Sequence, residues 1–85
     1  MDIVKGVVVK AVAGRDAGRY FVVLKFEDGF VWISDGKTRK LETPKKKNTK
    51  HLIITDTVTD INEITNKKLK MYLDRFNCPE IESEV

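Results

Sequence analysis

Eighty-five residues, 41% hydrophobic and 34% charged, make one small folded domain with no room for a second core. The formal charge of +3 is unevenly spread: residues 1–55 carry twelve Lys/Arg against six Asp/Glu, and residues 56–85 carry four against seven. No apolar run is long enough to span a bilayer, the N-terminus lacks a signal-peptide pattern, and the single cysteine, Cys78, excludes an intramolecular disulfide, so the expectation is a cytoplasmic protein without a membrane partner.

The first predicted strand spans residues 3–13, a run of β-branched Val broken by Lys5, Gly6 and Lys10. The second spans residues 20–27 and is rich in Val and aromatics. Between them lies Gly14-Arg15-Asp16-Ala17-Gly18-Arg19. Its glycines allow positive φ, and Asp16 is placed to bond its own backbone and tighten the turn. The result is a hairpin whose tip carries Arg15 and Arg19.

Asp28-Gly29 is a two-residue hairpin signal leading into a third strand at 30–34. Asp35-Gly36 repeats that signal and predicts a fourth strand at about 37–42. Pro44 has no N–H to donate, which leaves Lys45-Lys46-Lys47-Asn48 as an exposed loop. Residues 51–55 are apolar and β-branched and suit a closing fifth strand. Five short strands at even spacing predict a mostly β protein, a small barrel over residues 1–55. In the second strand, Tyr20, Val22, Leu24 and Phe26 form the more apolar face and are expected inside, with Phe21, Val23 and Lys25 outside. Trp32, in the middle of an apolar run, is expected in the core. Both faces of residues 3–13 are apolar, so a second layer is expected to cover one of them.

That cover is the C-terminal segment, residues 56–78. Residues 56–62 read as a connection. Leu69, Tyr72, Leu73 and Phe76 then follow the i, i+3, i+4, i+7 spacing of one amphipathic helix at about 66–77, with Thr65 or Asn66 as its N-cap. Lys67, Lys68 and Lys70 sit near its start, against the helix dipole, and read as solvated surface. Pro79 stops the helix, and residues 79–85 form an acidic tail.

Residues 37–51 are the densest chemical signal: Lys37, Arg39, Lys40, Lys45, Lys46, Lys47 and Lys50, seven cations against Glu42 alone. Clustered cations that meet phosphates release condensed counterions and bind without sequence readout. Arg39 adds a planar fork, and Asn48 and His51 add side chains that reach base edges or sugar hydroxyls. The barrel aromatics, Trp32 and Tyr20 first among them, are candidates for base stacking, although core placement is the simpler reading. Catalysis is not expected. One His and one Cys cannot complete a structural zinc site, and no nucleophile elbow, phosphate loop or acid/base pair of carboxylates is present. No cofactor, metal or small-molecule substrate is expected.

The hairpin of residues 4–26, a strand ended by a glycine, a short polar loop with a second glycine and then a strand, resembles a KOW motif. Such motifs occur in ribosomal proteins and transcription elongation factors. Gly6 early in the first strand, Asp35-Gly36 after the third, Arg39 just beyond and the basic PKKKN-x-KHL segment bring the chain closer to one subgroup. It resembles the KOW-domain RNA-binding proteins related to large-subunit ribosomal proteins of archaea and eukaryotes, over about residues 3–54. The resemblance implies an SH3-like barrel that binds structured RNA, first of all ribosomal RNA, in or near the ribosome, with ribosomal proteins as further partners. Under it, Arg15, Arg19 and the basic residues of 37–51 contact RNA, while Gly6, Gly14, Asp16 and Gly18 set the path of the hairpin backbone. The rival readings are a protein-interaction module of the translation or transcription machinery, and DNA binding, which charge alone does not exclude.

Overall fold

The computed structural model describes residues 3–77, so the expected tail at 79–85, the stop at Pro79 and Cys78 lie outside the described residues. Five strands form one antiparallel sheet: β1 (Val7–Ala11), β2 (Tyr20–Glu27), β3 (Phe30–Ser34), β4 (Lys45–Asn48) and β5 (Leu52–Val58), in the order β4-β3-β2-β1-β5. A 3-10 turn, Thr49–His51, joins β4 to β5, and one helix, α1 (Asn66–Asn77), ends the described chain. The mostly β architecture with a single C-terminal helix is therefore the one the strand spacing predicts.

The apolar residues on both sides of β1 are explained by burial on both faces. On the inner face Val7, Val9 and Ala11 pack with Phe21, Val23, Val31, Ile33 and Leu52. On the outer face Val8 and Val22 pack under Leu69 and Leu73 of α1, ringed by Tyr20, Leu24, Ile61, Ile64, Tyr72 and Phe76. This corrects the expected facing of β2. Val9 pairs with Phe21 and Val23 with Ile33, which turns Phe21 and Val23 inward. Tyr20, Val22 and Leu24 are apolar because the helix covers them, and Phe26, near the end of β2, is 52% exposed.

The register of β2 against β3 slips after Val23: Ile33 opposes Val23, Trp32 opposes Lys25, and Leu24 is the extra residue. Such a bulge re-aims the side chains beyond it. With Val31 and Ile33 buried inside, alternation along β3 points Phe30 and Trp32 outward. Trp32 is thus half-buried on the outer face, not in the core.

The fourth strand also differs from expectation. Residues 37–42 form no strand, and β4 is the lysine run that Pro44 precedes. The reason is local. The Asp35 carboxylate accepts the backbone N–H groups of Lys37 (2.9 Å) and Arg39 (2.8 Å). The N–H groups of Asp35 and Gly36 and the Ser34 hydroxyl all donate to the Arg39 carbonyl. Backbone groups that a strand needs are committed to a closed loop, so Asp35-Gly36 opens a loop of residues 35–44 and not a hairpin. Asp28-Gly29 does form the expected two-residue hairpin turn, with φ of 53° and 80°. The lysines of β4 lie on an edge of the sheet order, where charge discourages further strand pairing. β1 begins at Val7 and ends at Ala11, shorter than the predicted 3–13, and β5 runs on to Val58, into the expected connection.

The helix is fastened at both ends. Thr65 is its N-cap, with its hydroxyl accepting from the Lys68 N–H at 3.2 Å. The Asn66 side chain accepts from the Leu41 N–H (2.8 Å) and donates to the Glu42 carboxylate (2.9 Å). That amide holds the exposed Glu42 carboxyl below its ordinary value. Its contribution is therefore complete above the usual carboxylate range and is lost as pH falls through the lowered value, and solvent exposure keeps it small. At the other end, Asn77 accepts from the Tyr20 N–H at 2.9 Å, and Phe76 packs on Tyr20 with ring centroids 5.4 Å apart. Lys70 pairs with Asp74 one turn on, at 3.4 Å, while Lys67 and Lys68 are exposed.

Candidate nucleic-acid interface

The hairpin loop of residues 12–19 is closed by its own backbone. Gly18 donates to the Ala11 carbonyl (2.7 Å), Ala11 to the Arg19 carbonyl (2.9 Å), and Arg19 to the Asp16 carbonyl (3.0 Å). Gly14 and Gly18 both have the positive φ that the predicted turn requires. The Asp16 side chain does not bond its own backbone. It is 4% exposed and accepts from the Arg39 guanidinium at 3.1 Å. This ion pair clips the hairpin loop to loop 35–44.

Three further contacts draw the basic segments together. Arg19 donates to the Thr38 hydroxyl at 3.2 Å. The Lys47 ammonium donates to the Ala13 carbonyl at 3.2 Å. The Val12 N–H donates to the His51 carbonyl at 3.0 Å, placing the 3-10 turn beside the base of the hairpin loop. Arg15, Arg19, Lys37 and Lys40 remain exposed, as do Lys50 and His51 on the turn. A pocket of about 190 Å³ lies among Gly18, Arg19, Asp35, Lys37, Asp74 and Asn77, where two cations, on the hairpin and loop 35–44, are balanced by two carboxylates. The larger pocket, about 340 Å³, is lined by Thr59, Asp60, Glu63, Ile64, Lys68 and Tyr72. Its two carboxylates against one lysine make it a poor seat for phosphate.

Not every expected contact residue is free for RNA. Arg39 is only partly exposed, is bonded to Asp16, and its Nε is buried without a partner, so it braces two loops and is not an open fork. Lys47 is half-buried against Ala13. The Asn48 side-chain oxygen accepts from the Lys50 N–H at 2.9 Å and caps the 3-10 turn. Lys45 opposes Ile33, and Lys46 lies on the other face of β4, over Phe30 and Trp32. Gly6 is distant from the hairpin tip. It donates to the Val23 carbonyl and accepts from the Thr59 N–H, and its part is to let β1 and the end of β5 meet.

The reading from sequence also missed residues. Thr38, which steadies Arg19, carries no sequence signal of its role. The outward pair Phe30 and Trp32 is among the stacking candidates of the sequence, but the pairing of Trp32 with Lys46 and of Phe30 with Asn48 follows only from the observed fourth strand.

Replacing Asp16 with Asn leaves the enclosed Arg39 guanidinium without its counter-charge. We expect a loss of roughly 1–3 kcal/mol in denaturant unfolding, since the amide oxygen of Asn can still accept from Arg39 but the charge–charge part of the contact is removed from a sheltered site. A loss within experimental error would show that the clip is not structural.

Among the described residues, no three His, Cys, Asp or Glu side chains gather as a metal site, and no helix is long and apolar enough to cross a membrane. Comparison of the chain with protein-family models and with curated proteins finds no match.

Proposed function

We propose that the protein binds structured RNA through the end of the sheet where the hairpin loop and loop 35–44 meet. The observation that carries this reading is the clipping together of two cation-bearing loops, by Asp16–Arg39 and Arg19–Thr38, with Arg15, Arg19, Lys37 and Lys40 left exposed around the clip. Cations on one flexible tail bind any polyanion. Cations held at set separations on two braced loops favour a backbone whose phosphates match those separations, which is what a folded RNA presents. Lys50 and His51 extend the basic surface. The role is binding, without catalysis or cofactor. The KOW resemblance of the hairpin makes ribosomal RNA the first target to try, in a setting in or near the ribosome, with ribosomal proteins as neighbours.

The test is a fluorescence-anisotropy titration of labelled ribosomal RNA fragments against an unstructured strand of equal length, at several salt concentrations. The reading expects tighter binding of a folded fragment and a linear fall of log K with log salt. Equal, weak binding to both strands would defeat it, and binding of an acidic protein in place of RNA would favour an interaction module.

A further inference from the structure

The outer face of β2, β3 and β4 carries a second basic surface, separate from the clipped loops. The bulge at Leu24 sets Lys25 opposite Trp32, and Trp32 opposes Lys46 on its other side. The Lys25 ammonium lies 4.8 Å from the centre of the Trp32 ring. The Lys46 ammonium lies 5.6 Å from that ring and 4.6 Å from the Phe30 ring. Asn48 opposes Phe30. The helix covers Val8 and Val22 on the outer side of the sheet but does not include Trp32 or Phe30 in its cluster. A half-buried Trp and Phe, two positions apart on a rigid strand and bracketed by lysines, are left at the surface.

Resting on the RNA-binding reading above, we infer that Trp32 and Phe30 form a stacking platform for unpaired RNA nucleotides, with Lys25 and Lys46 meeting the adjoining phosphates. The chemistry selects this occupant over an apolar one. An apolar partner would have to desolvate the Lys46 ammonium without a counter-charge, and the Lys25–Glu27 pair along with it. A nucleotide brings both a flat π-face and an anion, matching the ring and the lysines together. The lysines now occupy the ring faces, yet an exposed cation–π contact is weaker than a base–aromatic stack, so an arriving base displaces them. Their flexible stems then carry the charge toward phosphate. Glu27, 3.2 Å from Lys25, is the opposing charge on this face, and its pair is exposed and easily exchanged. The molecule would then use two modes: braced loops for a folded backbone and a strand face for an unpaired segment beside it.

Trp32 is the only tryptophan in the chain, so its fluorescence reports this site alone. The full-length protein is titrated with a short unpaired oligoribonucleotide, an abasic strand of equal charge, a polyglutamate peptide and a labelled paired stem. Expected are quenching of Trp32 by the oligoribonucleotide and none by the abasic strand or the peptide. Trp32→Leu, read by anisotropy, should weaken binding of the unpaired strand about tenfold or more and change stem binding by less than about twofold. Quenching by polyglutamate equal to that by the oligoribonucleotide would overturn the platform in favour of an acidic peptide. Stem binding without Trp32 quenching would overturn the platform while leaving the RNA-binding reading intact, and binding of no RNA by the wild type would remove both. Because quenching is measured on the unsubstituted protein, the inference stays testable even if Trp32→Leu folds poorly.

Discussion

Gly6→Ala and Gly36→Ala are each expected to destabilise the domain by about 2–6 kcal/mol, enough to unfold much of a small protein at ambient temperature. Both positions have positive φ, 86° and 76°, where a side chain is strained. Both also lack space. A Cβ on Gly6 would overlap the Thr59 carbonyl, and one on Gly36 would overlap the Asn66 carbonyl at the start of α1. In each case the obstacle is backbone, which cannot swing away. Gly18 is the control: its φ is 89°, but a Cβ there meets nothing, so Gly18→Ala should show only the conformational strain, about 1–2 kcal/mol. Chemical denaturation followed by circular dichroism separates the three. A Gly36→Ala variant as stable as Gly18→Ala would mean that α1 does not dock against loop 35–44 as described.

The second large effect concerns affinity. Replacing Arg15, Arg19 and Lys37 together with Ala is expected to lower affinity for a folded RNA target about a hundredfold near 0.1 M salt. The log–log salt slope should shrink by about 2, since each engaged phosphate contributes somewhat less than one unit. These side chains are exposed, so stability should move by less than about 1 kcal/mol. Removing Lys67 and Lys68, equally exposed but on the first turn of α1, takes away two positive charges where the triple change takes away three. It should leave the slope nearly unchanged if location matters more than total charge. Arg15→Lys keeps the charge and loses the planar fork, and should reduce discrimination for folded RNA while barely moving the slope.

What could be read from the sequence was mainly what is decided locally. Asp28-Gly29 forms its hairpin because two adjacent φ values settle the turn. The helix is visible because Leu69, Tyr72, Leu73 and Phe76 share one stripe. Asp35-Gly36 looks the same as Asp28-Gly29 but behaves differently, because the Asp35 carboxylate and Ser34 hydroxyl close a wider loop through Arg39. The inner face of β2 was misread because apolarity does not say which layer buries it: Val22 lies under α1 and Phe21 inside the sheet. Trp32 is misplaced from sequence because Phe30, Val31, Trp32 and Ile33 are all apolar, so alternation alone does not say which pair turns inward. Arg15 and Arg39 are alike as letters, yet one is exposed and the other pairs with a carboxylate 23 residues away. The basic region was therefore legible as a region, while its division into braces, exposed contacts and an outer aromatic face required the three-dimensional register.

The most direct measurement is ultraviolet crosslinking of the protein to RNA in cells, with sequencing of the attached RNA and mass-spectrometric mapping of the attached peptide. The account predicts enrichment of folded ribosomal RNA segments, with adducts on the peptides that contain Arg15, Arg19 and Lys37. Recovery of no RNA above background, or adducts confined to the peptides of α1, would contradict it.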